Sequence, residues 1–200
     1  MLIKTIAVGI NRANCYILAC EKTKEALIID PGAEPDKIKK AITKLGVTPK
    51  FIINTHGHAD HIGANRDFGL PIFIHSLDSD CLTDPYKNVS AFFGFNITSP
   101  KAERLLKDGD EMKIGQIDMK IIHTPGHTPG SISILADNII FTGDTLFENG
   151  VGRTDLEGSS EGDLIYSIKN KIFVLGDDVV VCPGHGPSTT IGKEKKRVFF

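Results

Sequence analysis

The chain reads as a mixed α/β protein, on three observations. Short runs rich in Ile, Leu, Val and Ala recur at strand length, stretches with helical spacing of apolar residues lie between them, and polar, glycine-bearing punctuation falls where the runs end. Residues 2–8, 14–20 and 25–30 are the first runs, parted by Asn11 and Arg12 and then by the charge-rich 21–24, and they predict a meander of strands. Asp30, Pro31 and Gly32 end that block; Ile38, Ala41, Ile42 and Leu45 then recur at helical spacing until Gly46 closes the helix. Residues 51–54 are the next strand, followed by a polar loop, a short helical stretch over 62–68 and a strand over 70–75. The irregular segment 82–98 carries Tyr86, Phe92, Phe93 and Phe95, which can either wall a pocket or pack into a core. Strands over 119–123, 131–135, 138–142 and 179–182, with a helix over 161–175, complete the second half.

Composition narrows the function classes. The 200 residues suit one compact domain, 1–200, and no linker or short-period repeat divides them. With 23 Lys and Arg against 25 Asp and Glu, the net charge of -2 gives no footprint for nucleic acid or an anionic membrane. The expected partner is a small-molecule substrate, and the expected assembly a monomer or small homo-oligomer. The basic residues Lys193, Lys195, Lys196 and Arg197 read as a solvated tail. Cys15, Cys20, Cys81 and Cys182 form no C-x-x-C pair and no disulfide framework, so buried reduced thiols in a cytoplasmic protein are expected. The apolar opening is cut at Asn11 and Arg12, too early for a membrane span, and no cleavage site follows.

Chemistry concentrates in the histidines. Of seven, three fall within His56-Gly57-His58-Ala59-Asp60-His61. Imidazole nitrogen and carboxylate oxygen are the donors that Zn²⁺, Fe and Mn accept from proteins, and several must converge to replace the water shell. Residues two apart cannot share a helical face, so His56 and His58 need a looped backbone after the strand, with Asp60 and His61 opening a helix. His127, Asp144 and His185 each follow a glycine at a similar strand end, where the backbone can turn sharply toward a buried ion. Seven donors can fill two metal sites with one carboxylate shared. His75 and His123 read instead as local hydrogen-bonding residues, His123 supporting the loop of His127.

Other catalytic signatures are absent. There is no G-x-S-x-G elbow. The stretch from Gly186 to Lys193 is one residue too long for a phosphate loop, and Glu194 follows its lysine. Cys182 ends a Val-rich strand and reads as a small buried hydrophobe, and Arg153 reads as bracing its own loop through Asp155.

The order His56-x-His58-x-Asp60-His61, then His127, Asp144 and His185, is similar to the metallo-β-lactamase superfamily, and the match spans nearly the whole chain. His123-Thr124-Pro125-Gly126-His127-Thr128-Pro129-Gly130, Gly143-Asp144-Thr145-Leu146-Phe147, Gly152-Arg153-Thr154-Asp155 and Gly184-His185-Gly186-Pro187 resemble its glyoxalase II-like (hydroxyacylglutathione hydrolase-like) branch. The resemblance implies an αββα sandwich, two mixed β-sheets flanked by helices with the metals at one edge. It implies that His56, His58 and His127 hold one metal, Asp60, His61 and His185 the other, with Asp144 bridging. Full glyoxalase II enzymes carry a helical C-terminal extension that supplies much of the glutathione site; this chain stops at Phe200, and the domain is expected to lack it.

The implied cofactors are two divalent ions, zinc foremost, with iron or manganese as alternatives. The implied reaction is cleavage of a thioester, S-acylglutathione-like, by a metal-bridging hydroxide, with Asp60 and Asp144 as catalytic carboxylates and Asp60 orienting the water. The rivals are a mononuclear iron persulfide dioxygenase using His56, His127 and Asp144, and a lactonase.

Overall fold

A computed structural model describes residues 1–197. It consists of two six-stranded sheets and a small hairpin, β11 (Leu146–Phe147) with β12 (Gly150–Val151). In the first sheet, β1 (Leu2–Val8), β2 (Ala13–Ala19) and β3 (Glu25–Ile29) form the antiparallel meander, and β4 (Thr48–Ile53), β5 (Ile72–His75) and β6 (Arg104–Leu106) continue it in parallel. The second sheet is built from β7 (Glu111–Ile114), β8 (Ile117–His123), β9 (Ile132–Ala136), β10 (Ile139–Gly143), β13 (Val180–Pro183) and β14 (Thr189–Thr190). There β10 and β13 run parallel and the other pairs antiparallel.

The alternation of side chains across each strand explains the layering. All seven residues of β2 are buried. Tyr16 and Leu18 face the second sheet, while Cys15, Ile17 and Ala19 face the other way into a core shared with Ile38. That Ile38 belongs to α1 (Pro35–Leu45), which starts on a proline and ends at the left-handed Gly46. On the far side, Ile122 of β8 and Ile140 of β10 pack with Leu164, Ile168 and Ile172. The layers are therefore helix, sheet, sheet, helix: an αββα sandwich.

The differences from expectation have local causes. Strand β4 begins three residues early and includes Pro49; because proline offers no N–H, the register with β3 shifts between Ala26 and Leu27. The helix expected over 161–175 is α3 (Glu161–Ser167) followed by a π-turn, Ile168–Ile172, and a 3-10 turn, Phe173–Leu175. The wider turn keeps Leu164, Ile168 and Ile172 on the sheet. The basic side chains Lys193, Lys195, Lys196 and Arg197 are exposed, as expected, but their segment is anchored: α4 (Ile191–Glu194) buries Glu194, which accepts from Thr189 Oγ1 at 2.6 Å. The cysteines are free, and all but Cys81 are buried. Among the described residues, no helix is long and apolar enough to cross a membrane.

Candidate metal centre

The site forms where the carboxyl ends of strands from both sheets meet. After β4 the chain leaves the first sheet at Asn54, whose amide donates to the His61 carbonyl at 3.1 Å and pairs with Asn65. His56 and His58 therefore lie on a short loop, and His58 is the extended residue before α2 (Ala59–Ile62), which carries Asp60 and His61. From the second sheet come His127, after β8, and Asp144, after β10. Before Asp144, Gly143 has φ of +49°, and a Cβ there would strike Thr55.

His185 follows β13, yet the first sheet holds it. Asn14 N donates to the Gly184 carbonyl at 2.7 Å, the Tyr16 hydroxyl donates to the Pro183 carbonyl at 2.6 Å, and His185 bridges to Ala13. The two sheets are thus tied together at the edge that carries the histidines.

All seven expected residues converge there. His58 Nδ1 lies 3.1 Å from His56 Nε2 and 2.9 Å from His127 Nε2. His61 Nε2 lies 3.3 Å from His185 Nε2. Asp144 sits between the groups, Oδ1 at 3.5 Å from His61 Nε2, Oδ2 at 3.7 Å from His127 Nε2 and 3.5 Å from His185 Nε2. Ligand atoms of His56, His58 and His127, of His56, His61 and Asp144, and of Asp60, His61 and His185 form three overlapping groups able to hold a cation.

The outer hydrogen bonds decide which nitrogen faces inward. His61 Nδ1–H donates to Asp30 Oδ2 at 3.0 Å, His127 Nδ1–H to the Arg153 carbonyl at 2.9 Å, and His185 Nδ1–H to the Asn11 carbonyl at 3.0 Å. Thr55 Oγ1 spends its hydrogen on Asp30 at 2.6 Å, so it accepts from His56 Nδ1–H at 3.2 Å. The Nε2 atoms of these four rings consequently point into the centre. Nitrogens this close repel unless a cation lies between them, and Asp144 Oδ1 is buried there with no hydrogen-bond partner among the described residues. The donor set fits metal ions.

Electrostatics agree with that fit. Burial, followed by the charge of His61, holds His56 well below the ordinary histidine range, and burial beside His127 takes His58 down to about 3. Burial by itself would lower His61 too, but Asp144, Asp60 and Asp30 outweigh it and push it up to about 10. Asp144, despite a burial effect in the opposite direction, is held below the usual carboxylate range by His61 and His185.

The metallo-beta-lactamase superfamily model matches residues 8–185, a stretch that contains every one of these residues. The chain belongs to the metallo-beta-lactamase superfamily. Within that superfamily, it is 36% identical over 204 residues to hydroxyacylglutathione hydrolase GloC of Haemophilus influenzae, covering 98% of this chain and 96% of the relative. That similarity supports the glyoxalase II-like branch. The crystal structure of BLEG-1 B3 metallo-beta-lactamase matches with a TM-score of 0.92 and 37% identity, covering 98% of this chain and 97% of that one. A di-iron-bound form of TTHA1623 matches with a TM-score of 0.86 and 31% identity over 97% of this chain and 98% of that one. The chain is accordingly a metal-dependent hydrolase of the metallo-beta-lactamase superfamily with two His-rich sites.

Sequence reasoning missed part of this superfamily site. Asp30, read as a turn residue, orients His61 and binds Thr55 N at 2.7 Å; its place at a strand end before Pro31-Gly32 was the one available signal. Asp78 had none. It accepts from Gly57 N at 2.8 Å, Gly130 N at 2.7 Å and Thr128 Oγ1 at 2.7 Å, joining the loop of His56 and His58 to that of His127. Asn11 donates to Asp60 Oδ2 at 3.0 Å.

Two expectations about side chains outside the centre are also settled. Arg153 braces its own loop, meeting Asp155 through two nitrogens at 2.7 and 2.8 Å. His123 supports the His127 loop by donating from Nε2 to the Pro129 carbonyl at 2.8 Å. His75 bonds locally as expected, accepting from Leu77 N at 3.3 Å, and its ring stacks on His123 with centroids 4.1 Å apart.

Proposed function

We propose that the chain is a dinuclear metal-dependent thioesterase acting on S-acylglutathione-like substrates. The observation that carries this reading is the placement of Asp144 between the group His56, His58, His127 and the group Asp60, His61, His185: Oδ2 lies 3.7 Å from His127 Nε2 and 3.5 Å from His185 Nε2, and Oδ1, 3.5 Å from His61 Nε2, is buried without a hydrogen-bond partner among the described residues. Those two groups would each hold one cation, with Asp144 shared. When bound, a pair of divalent ions supplies water ionised near neutral pH and an electrophile for a carbonyl oxygen. Nitrogen and carboxylate donors without thiolate suit zinc, iron and manganese alike.

The side chains do the rest. Asp60 keeps one oxygen on Asn11 while its side chain stays partly exposed toward the centre, a position from which it can orient the attacking water. His61, His127 and His185, each pinned by an acceptor on Nδ1, hold their Nε2 atoms in place without reorganisation. A thiolate leaving group needs no strong general acid, and none is placed here apart from the donor residues themselves. The similarity to a hydroxyacylglutathione hydrolase supports this substrate class.

The one-iron persulfide dioxygenase reading uses only His56, His127 and Asp144. Asp60, His61 and His185 then have no role, although their ligand atoms converge as closely. Metal analysis of the purified protein alongside thioester, lactone and persulfide assays separates the readings. Two metals per chain with thioester cleavage is the expected result; one iron with oxygen consumption on glutathione persulfide would refute it.

A further inference from the structure

Resting on the thioesterase reading, we infer that the preferred substrates carry an apolar acyl chain, which lies against Phe92, Phe93 and Ile10 beside the metal centre. The described residues include ten large exposed hydrophobic side chains, and six of these, Ile10, Leu77, Tyr86, Phe92, Phe93 and Phe95, fall on two segments that border the centre. Phe92 is 66%, Phe93 69% and Ile10 94% exposed, so none of these side chains serves the core. An apolar cluster left in water beside a reactive centre marks a binding surface.

Both segments are fastened to the turn His58-Ala59-Asp60. Ala59 N donates to the Asn88 carbonyl at 3.1 Å, and Cys81 fills the space that a side chain at Gly57 would need. Asn88 in turn anchors Ser90 and receives no freedom itself, its amide donating to the carbonyls of Cys81 and Ile97 at 2.9 Å. The 3-10 turn Ser90–Phe93 is therefore held against the ligand-bearing loop. At the β1–β2 turn, Asn11 binds both Asp60 and His185, which fixes its neighbour Ile10 beside the ligand residues.

Charge decides which arm of the substrate meets this rim. Residues 88–100 contain no charged side chain; the nearby Lys87 is engaged by Asp80 at 2.6 Å, and the cation Arg66 meets the segment at Thr98 Oγ1 at 2.8 Å, five residues beyond Phe93. A glutathione-like carrier brings carboxylates, which lose hydration on such a surface without gaining partners. The acyl chain gains by the same burial. In the reaction, water gives its hydroxyl to the acyl carbon as the C–S bond breaks, and the departing sulfur takes the remaining proton, yielding a carboxylic acid and a thiol.

The test is a series of N-acetylcysteamine thioesters from acetyl to hexanoyl, with metal content matched. For the wild-type protein kcat/KM should rise by up to about fourfold per methylene, the value for full burial. The double variant Phe92→Ser, Phe93→Ser should flatten that slope, while Val174→Ser, an exposed hydrophobe on the 173–175 turn, should keep it. A flat wild-type series, or a slope unaltered in the double variant, overturns the proposal. So does a wild-type dimer that the double variant dissociates without changing the slope, since the surface then joins two copies. If no thioester is cleaved, the thioesterase reading falls and the apolar site is judged by calorimetry with S-alkyl N-acetylcysteamine thioethers. Affinity that rises with alkyl length and is lost in the double variant upholds the surface; absence of binding rejects it.

Discussion

Asp30 Oδ2 stands 3.0 Å from His61 Nδ1 in a pair with side chains 2% and 0% exposed. A carboxylate behind a metal-binding imidazole fixes its tautomer and raises its basicity. Asp30→Asn should therefore weaken metal binding at the Asp60, His61, His185 group by about 10–100-fold. The loss at the His56 group should be smaller, since Asp30 reaches His56 only through Thr55. Cobalt titration resolves the two steps, and equal weakening of both would contradict this assignment.

Asp144 Oδ2 lies within 3.7 Å of a ring nitrogen from each group, His127 in one and His185 in the other. Asp144→Ala should lose both metals and activity together, as measured by metal stoichiometry and turnover on one sample. Retained turnover in that variant refutes the shared role.

Gly184 packs directly on Asp144, and a Cβ there would collide with its Oδ1. Gly184→Ala should consequently reproduce the metal loss of Asp144→Ala while the secondary structure persists by circular dichroism. Full metal occupancy in the alanine variant would show that Asp144 has room to move.

Asp78 satisfies two backbone N–H groups and one hydroxyl in the interior. Asp78→Ala leaves the two backbone donors unpaired, while the Thr128 hydroxyl can turn to Ser131 Oγ at 2.7 Å, at a cost of about 3 kcal/mol read as a lower denaturant midpoint of the metal-free protein. Because the donors belong to the loops of His56, His58 and His127, metal should be lost first from that group. Unfolding at the wild-type midpoint would remove Asp78 from the framework.

Metal uptake should depend on pH in a direction set by His61. Its pKa in the metal-free protein is raised to about 10, so at neutral pH it carries a proton that a metal must displace from Nε2. Affinity should then climb with pH up to about 10 and fall by about tenfold for each unit of acidification per proton released. The opposite sign applies to the metal-free fold: the contribution of protonated His61 among its carboxylates is complete below the unfolded histidine pKa, and fades as pH rises through about 10. Calorimetry in buffers of differing ionisation enthalpy counts the protons, and a count of zero for the His61 group excludes this coupling.

Much of this protein is legible without coordinates. The run of β2 is apolar at every position that a doubly covered strand requires, and Gly46 ends α1 where the periodicity stops. The His56 to His61 spacing demands a loop followed by a helix, and that is what forms. The strands β6 and β7 escaped notice because they are three and four residues long and interrupted by charges. The exposed face of Phe92 and Phe93 was equally undecided, since an aromatic run alone does not say whether a core exists to receive it.

The identity of the donors was thus written into the order of residues; their meeting was not. His185 and the Asn11 carbonyl that orients it lie 174 positions apart, and Asp30 is 31 positions from the ring it fixes. Which nitrogen turns inward depends on such distant acceptors. Spacing along a chain constrains only neighbours within a loop or a turn of helix, whereas two packed sheets bring remote strand ends to one edge. The sandwich therefore decided the inward nitrogens, the central place of Asp144 and the clamp at Asp78.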